Sequence, residues 1–250
     1  MHIMKKFLKH KNFLFFSFCL SLVSVAWAQS EEQKNGHWYW QGSLHQTGAT
    51  ASDVTLNMGG GVLLKGPQKL NAGTGASMVL GRQFMGEPDE AQNRRVWRLE
   101  AEVWSASLPR PSLTVAPLSL TPRDKLQAEA LFVNAALRLG ESDARYEGTD
   151  TPVWRSWLVG GVGAAHVSVP QPRDTPTGCG CFGAASASGA AYQLKLVLER
   201  QISQNGWLAH LQLAHVWLPS ISTAAASLPQ THYGRFDTGT VSIGIRKLFD

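Results

Sequence analysis

The chain has 250 residues, 44% of them hydrophobic, and a formal net charge of +5. Four lysines and no acids lie within the first 28 residues, so the following stretch of about 222 residues carries a charge of about +1. Because no basic stripe remains in that stretch, we expect no nucleic-acid partner.

Residues 1–28 have the pattern of a secretory signal peptide. A lysine-rich stretch precedes the apolar run FLFFSFCLSLVSV, and an A-x-A cleavage site ends at Ala28. A membrane anchor is the alternative, but an apolar core of roughly 13–16 residues is shorter than the roughly 20 that a spanning helix needs. We therefore predict export, a short periplasmic arm at 29–35 and a single domain over 36–250.

The domain alternates apolar and polar residues in about eight segments, which predicts strands rather than helices. Several segments run to roughly 11–15 residues, whereas globular strands average about five or six and membrane-spanning strands need about 9–11. The predicted strands cover residues 36–48, 74–86, 96–108, 126–140, 153–169, 188–203, 206–218 and 237–249.

The strand at 96–108 has one apolar and one charged face. Its apolar face carries Trp97, Leu99, Ala101 and Val103, and its other face carries Arg98, Glu100 and Glu102. A charged face cannot form the core of an ordinary sandwich, but it suits a barrel with lipid outside and a polar lumen. By the same rule, Trp157 and Val167 of the strand at 153–169 would face lipid, and His166 and Ser168 would face the lumen.

The connections between predicted strands alternate in length. Residues 49–73, 107–125, 170–187 and 219–236 form long connections, whereas residues 87–93, 141–152 and 203–206 form shorter ones. The last of these contains Asn-Gly, a strong signal for a two-residue hairpin. Short periplasmic turns and long extracellular loops follow this parity in outer-membrane barrels. The first long connection also has a sequence that could form an extra hairpin outside the membrane.

These features resemble the small outer-membrane β-barrel families of Gram-negative bacteria, of the OmpA transmembrane-domain or Opa-like kind. The resemblance covers nearly all of residues 36–250. It rests on the strand count, the loop parity, the segment AAYQLKLVLERQIS–QNGWLAHLQLAHVWL and the closing strand TVSIGIRKLF. It implies an all-β, antiparallel, up-and-down transmembrane barrel in the cell outer membrane. Members commonly end in an aromatic residue read by the barrel-insertion machinery, whereas here Phe249 is penultimate.

Six charged residues fall on the predicted lumenal faces, and we take them as the candidate polar network of the lumen: Arg98, Glu100, Glu102, Lys195, Glu199 and Arg246. In one interpretation they line an ion path. In the other they pair and plug a narrow barrel, because charges in a low-dielectric interior must be compensated. About eight strands leave an interior that side chains can fill, which favours the plug.

Other chemistry-bearing residues have weaker patterns. Cys179 and Cys181 could form a disulfide in an oxidising compartment, remain free thiols, or take part in metal or redox chemistry. His166 and Ser168 could act as a nucleophile pair, but the sequence offers no acidic partner in a recognisable motif. The tryptophans near strand ends are typical of aromatic girdles, with a ligand-binding platform as the alternative.

We expect a protein without catalytic, cofactor or metal sites, and with a structural or adhesin-like surface role. Its predicted partners are outer-membrane lipid, lipopolysaccharide, the insertion machinery, and a host or cell-surface molecule contacting the four long loops. The alternatives are a small-solute pore, a lipid-modifying barrel enzyme, and a soluble periplasmic β-barrel carrier.

Overall fold

A computed structural model gives the fold. It describes residues 36–57, 62–88, 94–109, 113–115, 118–120, 125–142, 154–169, 184–203, 205–222 and 230–249. The chain divides into a unit of residues 1–36 and a unit of residues 37–250, and the second unit contains the described strands. The predicted signal peptide and periplasmic arm lie outside the described residues.

The described residues form thirteen strands, and none of them belongs to a helix long and apolar enough to cross a membrane. The strands are β1 (His37–Asn57), β2 (Val62–Lys69), β3 (Gly73–Pro88), β4 (Arg94–Pro109), β5 (Leu113–Val115), β6 (Leu118–Leu120), β7 (Lys125–Ser142), β8 (Trp154–Val169), β9 (Ala185–Ser203), β10 (Trp207–Leu218), β11 (Ile221–Ser222), β12 (Gln230–Tyr233) and β13 (Phe236–Phe249).

Eight of these strands close into a ring in the order β1, β3, β4, β7, β8, β9, β10, β13 and back to β1. Each neighbouring pair is antiparallel, and β1 completes the ring because Leu44 pairs with Ala76 of β3 on one side and with Ile243 of β13 on the other. The predicted fold class, an antiparallel up-and-down barrel of eight strands, is confirmed.

The two ends of the barrel differ. We call the end with the connections after β3, β7 and β9 the turn end. There, Gly206 takes a φ of 76°, but Ser203 pairs with Trp207, so three residues connect the strands instead of the two that the Asn-Gly sequence predicted. The opposite end is the loop end, where β1 continues past the ring and pairs with β2 and β12, while β11 pairs with β12. The β1–β2 pair is the extra hairpin that the sequence predicted.

The outer wall is apolar. Leu44, Val103 and Ile243 are 69%, 60% and 66% exposed, and the leucines of β9 alternate outward in the same way. A soluble protein would not present such a continuous apolar surface, whereas a lipid-facing wall requires it. The alternation predicted for the strands at 96–108, 126–140, 188–203 and 237–249 matches the described burial.

One strand faces the other way from its prediction. In β8, Trp157 and Val167 are buried inside the barrel, whereas His166 and Ser168 face outward. Val167 packs in the apolar cluster of the loop end, so it is stabilised inside as well as it would be in lipid. Trp157 packs with Val159 and Val197 and covers the guanidinium of Arg98 with its ring. Trp104 of β4 is likewise inside rather than in an aromatic girdle.

Candidate functional site

The candidate site is the charged layer inside the barrel, and Arg98 of β4 lies at its centre. Its guanidinium donates to both carboxylate oxygens of Glu199, at 2.9 and 3.0 Å, and also to Gln83 Oε1. The same guanidinium lies 3.3 Å from the centre of the Trp157 ring. Since β4 and β9 are separated in the ring by β7 and β8, the Arg98–Glu199 pair bridges the lumen.

Arg246 of β13 joins the network from another side. It forms an ion pair with Glu199, lies 3.7 Å from Glu100 Oε1, and donates to Gln41 Oε1. Its guanidinium also lies 4.4 Å from the ring centre of Tyr39. Glu199 is therefore shared by two arginines, which makes it the residue whose charge the interior depends on most.

Amide and hydroxyl groups connect the remaining charges. Asn134 Nδ2 donates to Glu100 at 3.3 Å and to Glu102 at 2.9 Å, and so joins the two carboxylates. Glu102 also pairs with Lys195 and accepts from Gln193 at 2.7 Å. The Tyr39 hydroxyl donates to Glu100 at 2.6 Å. The structure thus brings all six predicted charges into one network of three cations and three carboxylates.

The backbone explains why this network fits. Residues two apart on a strand share a face, so β4 supplies positions 98, 100 and 102, and β9 supplies 193, 195 and 199. Gly161 of β8 leaves room between them, because a Cβ there would collide with the side chains of Asn134 and Gln193. A glycine at this point lets Gln193 Nε2 donate to Asn134 Oδ1, at 2.6 Å, over the backbone of β8.

Several members of the network were not among the predicted site residues. They are Tyr39, Gln41, Gln83, Asn134, Trp157 and Gln193. The alternation of inward and outward residues could have indicated most of them, because they lie on the same strand faces as the charges. Trp157 was missed because its size and apolarity suggested the lipid face.

Toward the loop end the interior becomes apolar. One continuous cluster of buried side chains fills it, including Trp104, Phe132, Leu108, Leu218 and Phe236. The lumen therefore has an apolar layer at the loop end and a charged layer, and a smaller apolar cluster that includes Trp157, Val159 and Val197 lies beside the charges. The polar lumen expected from the sequence is wrong for the loop-end half.

Among the described residues, the hydrogen-bond partner of His166 is Ser188 and not Ser168, the residue considered with it as a nucleophile pair. His166 Nδ1 lies 2.9 Å from Ser188 Oγ, and this pair is on the outer wall instead of in the lumen. Glu129 is the register partner of His166 on β7, but no hydrogen bond or ion pair joins these two described residues. A nucleophilic serine needs a base that a third group orients.

Two further expectations concern thiols and metals. Cys179 and Cys181 lie outside the described residues. Within the part of the chain that the structure describes, no group of three or more His, Cys, Asp or Glu side chains could hold a metal ion.

A closed ring of eight antiparallel strands with an apolar exterior defines a transmembrane β-barrel of the outer-membrane type. No family model and no curated protein matches the chain. Among solved structures it is similar to Ail, the attachment invasion locus protein of Yersinia pestis, solved in complex with the heparin analogue sucrose octasulfate. The identity is 12%, the TM-score is 0.33, and the match covers 84% of this chain and 99% of that one.

The chain is also similar to the outer membrane protease OmpT from Escherichia coli, with 10% identity and a TM-score of 0.31. That match covers 85% of this chain and 97% of the protease. A third similar structure is a Pseudomonas aeruginosa FadL homologue, at 8% identity and a TM-score of 0.20, covering 87% and 90% of the two chains. The fold assignment rests on the strand register and the burial pattern described above.

Proposed function

We propose that the protein is a non-enzymatic outer-membrane barrel, related to the OmpA transmembrane-domain or Opa-like kind, with a structural or surface-interaction role. The observation that carries this proposal is the closed interior. Three cations and three carboxylates pair across the lumen, and apolar side chains fill the half beyond them. A barrel filled in this way offers a rigid base and no wide aqueous path.

The loop end would face the cell exterior, and the turn end the periplasm. This orientation follows from the short connections at the turn end and from the strands β1, β2, β11 and β12, which extend the wall at the loop end. The segments predicted as long connections, 49–73, 107–125, 170–187 and 219–236, would then present the surface for a host, partner-cell or lipopolysaccharide contact. They include the loop-end parts of β1, β4, β9 and β13 and the short strands β2, β5, β6, β11 and β12. Loops on a rigid scaffold are where such binding residues concentrate.

Conductance in a planar bilayer tests the closed interior. We expect little steady current from the purified protein. Glu102→Ala should increase current or destabilise the barrel, because it leaves Lys195 buried without its carboxylate. Glu129→Ala, which removes a carboxylate from the outer wall, serves as the control. A stable large conductance of the unsubstituted protein would overturn the proposal.

Lipid A analysis tests the proposal that the protein is not a lipid-modifying enzyme. Lipid A mass spectra of a deletion strain should be unchanged, because His166 and Ser188 have no orienting carboxylate among the described residues. Deacylated lipid A that depends on the gene and on Ser188 would contradict the proposal and favour a lipid-modifying enzyme.

A small-solute pore is the second candidate, and a specific observation favours it. Several buried polar atoms of the described lumen residues have no hydrogen-bond partner, namely Glu102 Oε1, Gln193 Oε1, His210 Nδ1 and Ser242 Oγ. Buried polar groups of this kind are commonly satisfied by internal water. A narrow hydrated path would appear in the same bilayer experiment as a small current carried by protons or monovalent ions.

A further inference from the structure

An apolar groove of about 820 Å³ lies on the outer wall near the turn end, a volume within the range of ligand-binding clefts. Trp40 and Trp154 stand at its two sides, and Leu198 and Leu211 line it between them. These four side chains face outward into the lipid, whereas Ser43, Ser77 and His210, which also line the groove, are buried on the lumenal face.

Small residues create the depth of the groove. Gly42 and Ala209 contribute its floor, whereas the neighbouring outward positions carry tryptophan, leucine or isoleucine. A Cβ at Gly42 would touch only the Trp40 ring, at the ordinary contact distance of 3.4 Å. The backbone conformation at residue 42 does not require glycine, so the absence of a side chain there leaves space for a bound ligand.

Two cations lie near the turn end of this groove: Arg200 lines it, and Lys247 pairs in register with Trp40, which lines it. The Arg200 guanidinium lies 5.3 Å from the Trp154 ring centre, and Lys247 Nζ lies 5.7 Å from the Trp207 ring centre. Lys247 also donates to the Asn205 carbonyl, and no salt bridge of the described residues involves either cation. Tryptophans of this kind mark the headgroup level of a bilayer.

The register brings the two cations within reach of one ligand. Arg200 of β9 pairs with Ala209 of β10, and Lys247 of β13 pairs with Trp207 of β10, so the two strands flank β10. Two strand spacings of about 5 Å each and an offset of two residues along β10, about 7 Å, put the two backbones roughly 12 Å apart. The long, flexible side chains of arginine and lysine can reach a ligand between them. Their charge complements a phosphate group.

We propose that this groove binds one phospholipid with a net-negative headgroup, taken from the leaflet at the turn end. Its acyl chain lies over Gly42 and Ala209, and its phosphate lies between Arg200 and Lys247. The inference rests on the proposed membrane location, which places this end at the phospholipid leaflet. Basic pockets at the headgroup level of membrane proteins select anionic lipids in this way.

Native mass spectrometry of the barrel, titrated with phosphatidylglycerol or phosphatidylcholine, tests the proposal. We expect one phosphatidylglycerol to bind the unsubstituted barrel at least about tenfold more tightly than phosphatidylcholine. The double variant Arg200→Gln/Lys247→Gln should lose this preference. Gly42→Leu should weaken both lipids, because it fills the groove and leaves the charges in place.

Arg95→Gln is the matched control, because Arg95 is an exposed cation near the same end of β4, outside the groove. An equal loss in this variant would mean bulk charge attraction and would overturn the site. A doubled mass without bound lipid would show that a second copy of the chain occupies the groove. This result would also overturn the proposed lipid site.

The heat-modifiability of every variant on a gel reports whether the barrel is folded. If the proposed lipid site is wrong, the unsubstituted protein still shows heat-modifiability, and only its preference for phosphatidylglycerol is absent. If the proposed membrane barrel itself fails, the protein stays soluble without detergent and shows no heat-modifiable band, so the two failures are distinguishable.

Discussion

Glu199→Gln should destabilise the barrel strongly, because this carboxylate is 0% exposed and serves two arginines. The substitution keeps the shape of the side chain and removes its charge. Arg98 would retain Gln83, and Arg246 would retain Gln41 and the more distant Glu100. Removing one partner of a buried ion pair costs about 3–5 kcal/mol, so we expect a loss of that size in the free energy of unfolding.

Denaturant unfolding in detergent micelles, followed by tryptophan fluorescence, measures this loss. Glu141→Gln is the matched control, because Glu141 pairs with Arg138 and Arg155 where the side chains are 22–25% exposed. A partly exposed pair of this kind contributes about 0–1 kcal/mol. If both substitutions shifted the unfolding free energy by the same small amount, the central role of Glu199 would be refuted.

Charge balance provides a second check on the same reasoning. Replacing Arg98 by Met together with Glu199→Gln leaves two cations and two carboxylates in the lumen. The double variant should regain part of the stability lost by Glu199→Gln, with a coupling energy of about 0.5–3 kcal/mol, as contacting residues show. Simple additivity of the two losses would show that Arg98 and Glu199 do not compensate each other.

Three further predictions concern the wall, the interior and the orientation. Leu196→Arg should cost about 2–4 kcal/mol in a bilayer folding assay, because the leucine faces lipid, whereas Leu196→Met should be nearly neutral. Gly163→Ala should cost about 1–3 kcal/mol by denaturant unfolding, because its Cβ would meet a backbone carbonyl of β7, while Gly160→Ala has open space around it. In a chain without other cysteines, a cysteine at Ser222 should react with an impermeant thiol reagent on intact cells, and one at Asn205 should not; the reverse labelling would contradict the orientation.

Much of the barrel follows from the alternation of side chains. In β4, Arg98, Glu100 and Glu102 alternate with outward apolar residues, and the polarity contrast fixes which face is inside. The same contrast sets Lys195 and Glu199 of β9 inside. Where one face is charged and the other is apolar, a strand can be oriented from its sequence alone.

The polarity difference between the two faces of a strand does not indicate the inward face where the barrel interior is itself apolar. In β8, Val167 packs in the loop-end core, and Trp157 covers the guanidinium of Arg98, so both are inside despite their apolarity. The correct face was still indicated by Gly161 and Gly163, which share the parity of Trp157. A narrow lumen requires such glycines, as the Cβ collisions at both positions show, whereas the lipid face does not.

The partners of each charge could not be predicted, because strand register and barrel closure decide them. Arg98 and Glu199 are 101 positions apart in the chain, and they meet because closure places β4 and β9 across the lumen from each other. The alternation of β7 places Asn134 on the inward face, but it does not show which charges the amide contacts. The role of Asn134 becomes visible when the ring places it between Glu100 and Glu102.

The two-level interior has a consequence for how the barrel is stabilised. Ion pairs bridging β4, β9 and β13 fix the relative positions of non-adjacent strands at one level, and this directional network tolerates few alternative registers. The apolar cluster at the loop end adds a packed core of the kind found in soluble proteins, which does not depend on lipid. Together they give the barrel a base that is rigid from within, which the proposed surface-interaction role would require.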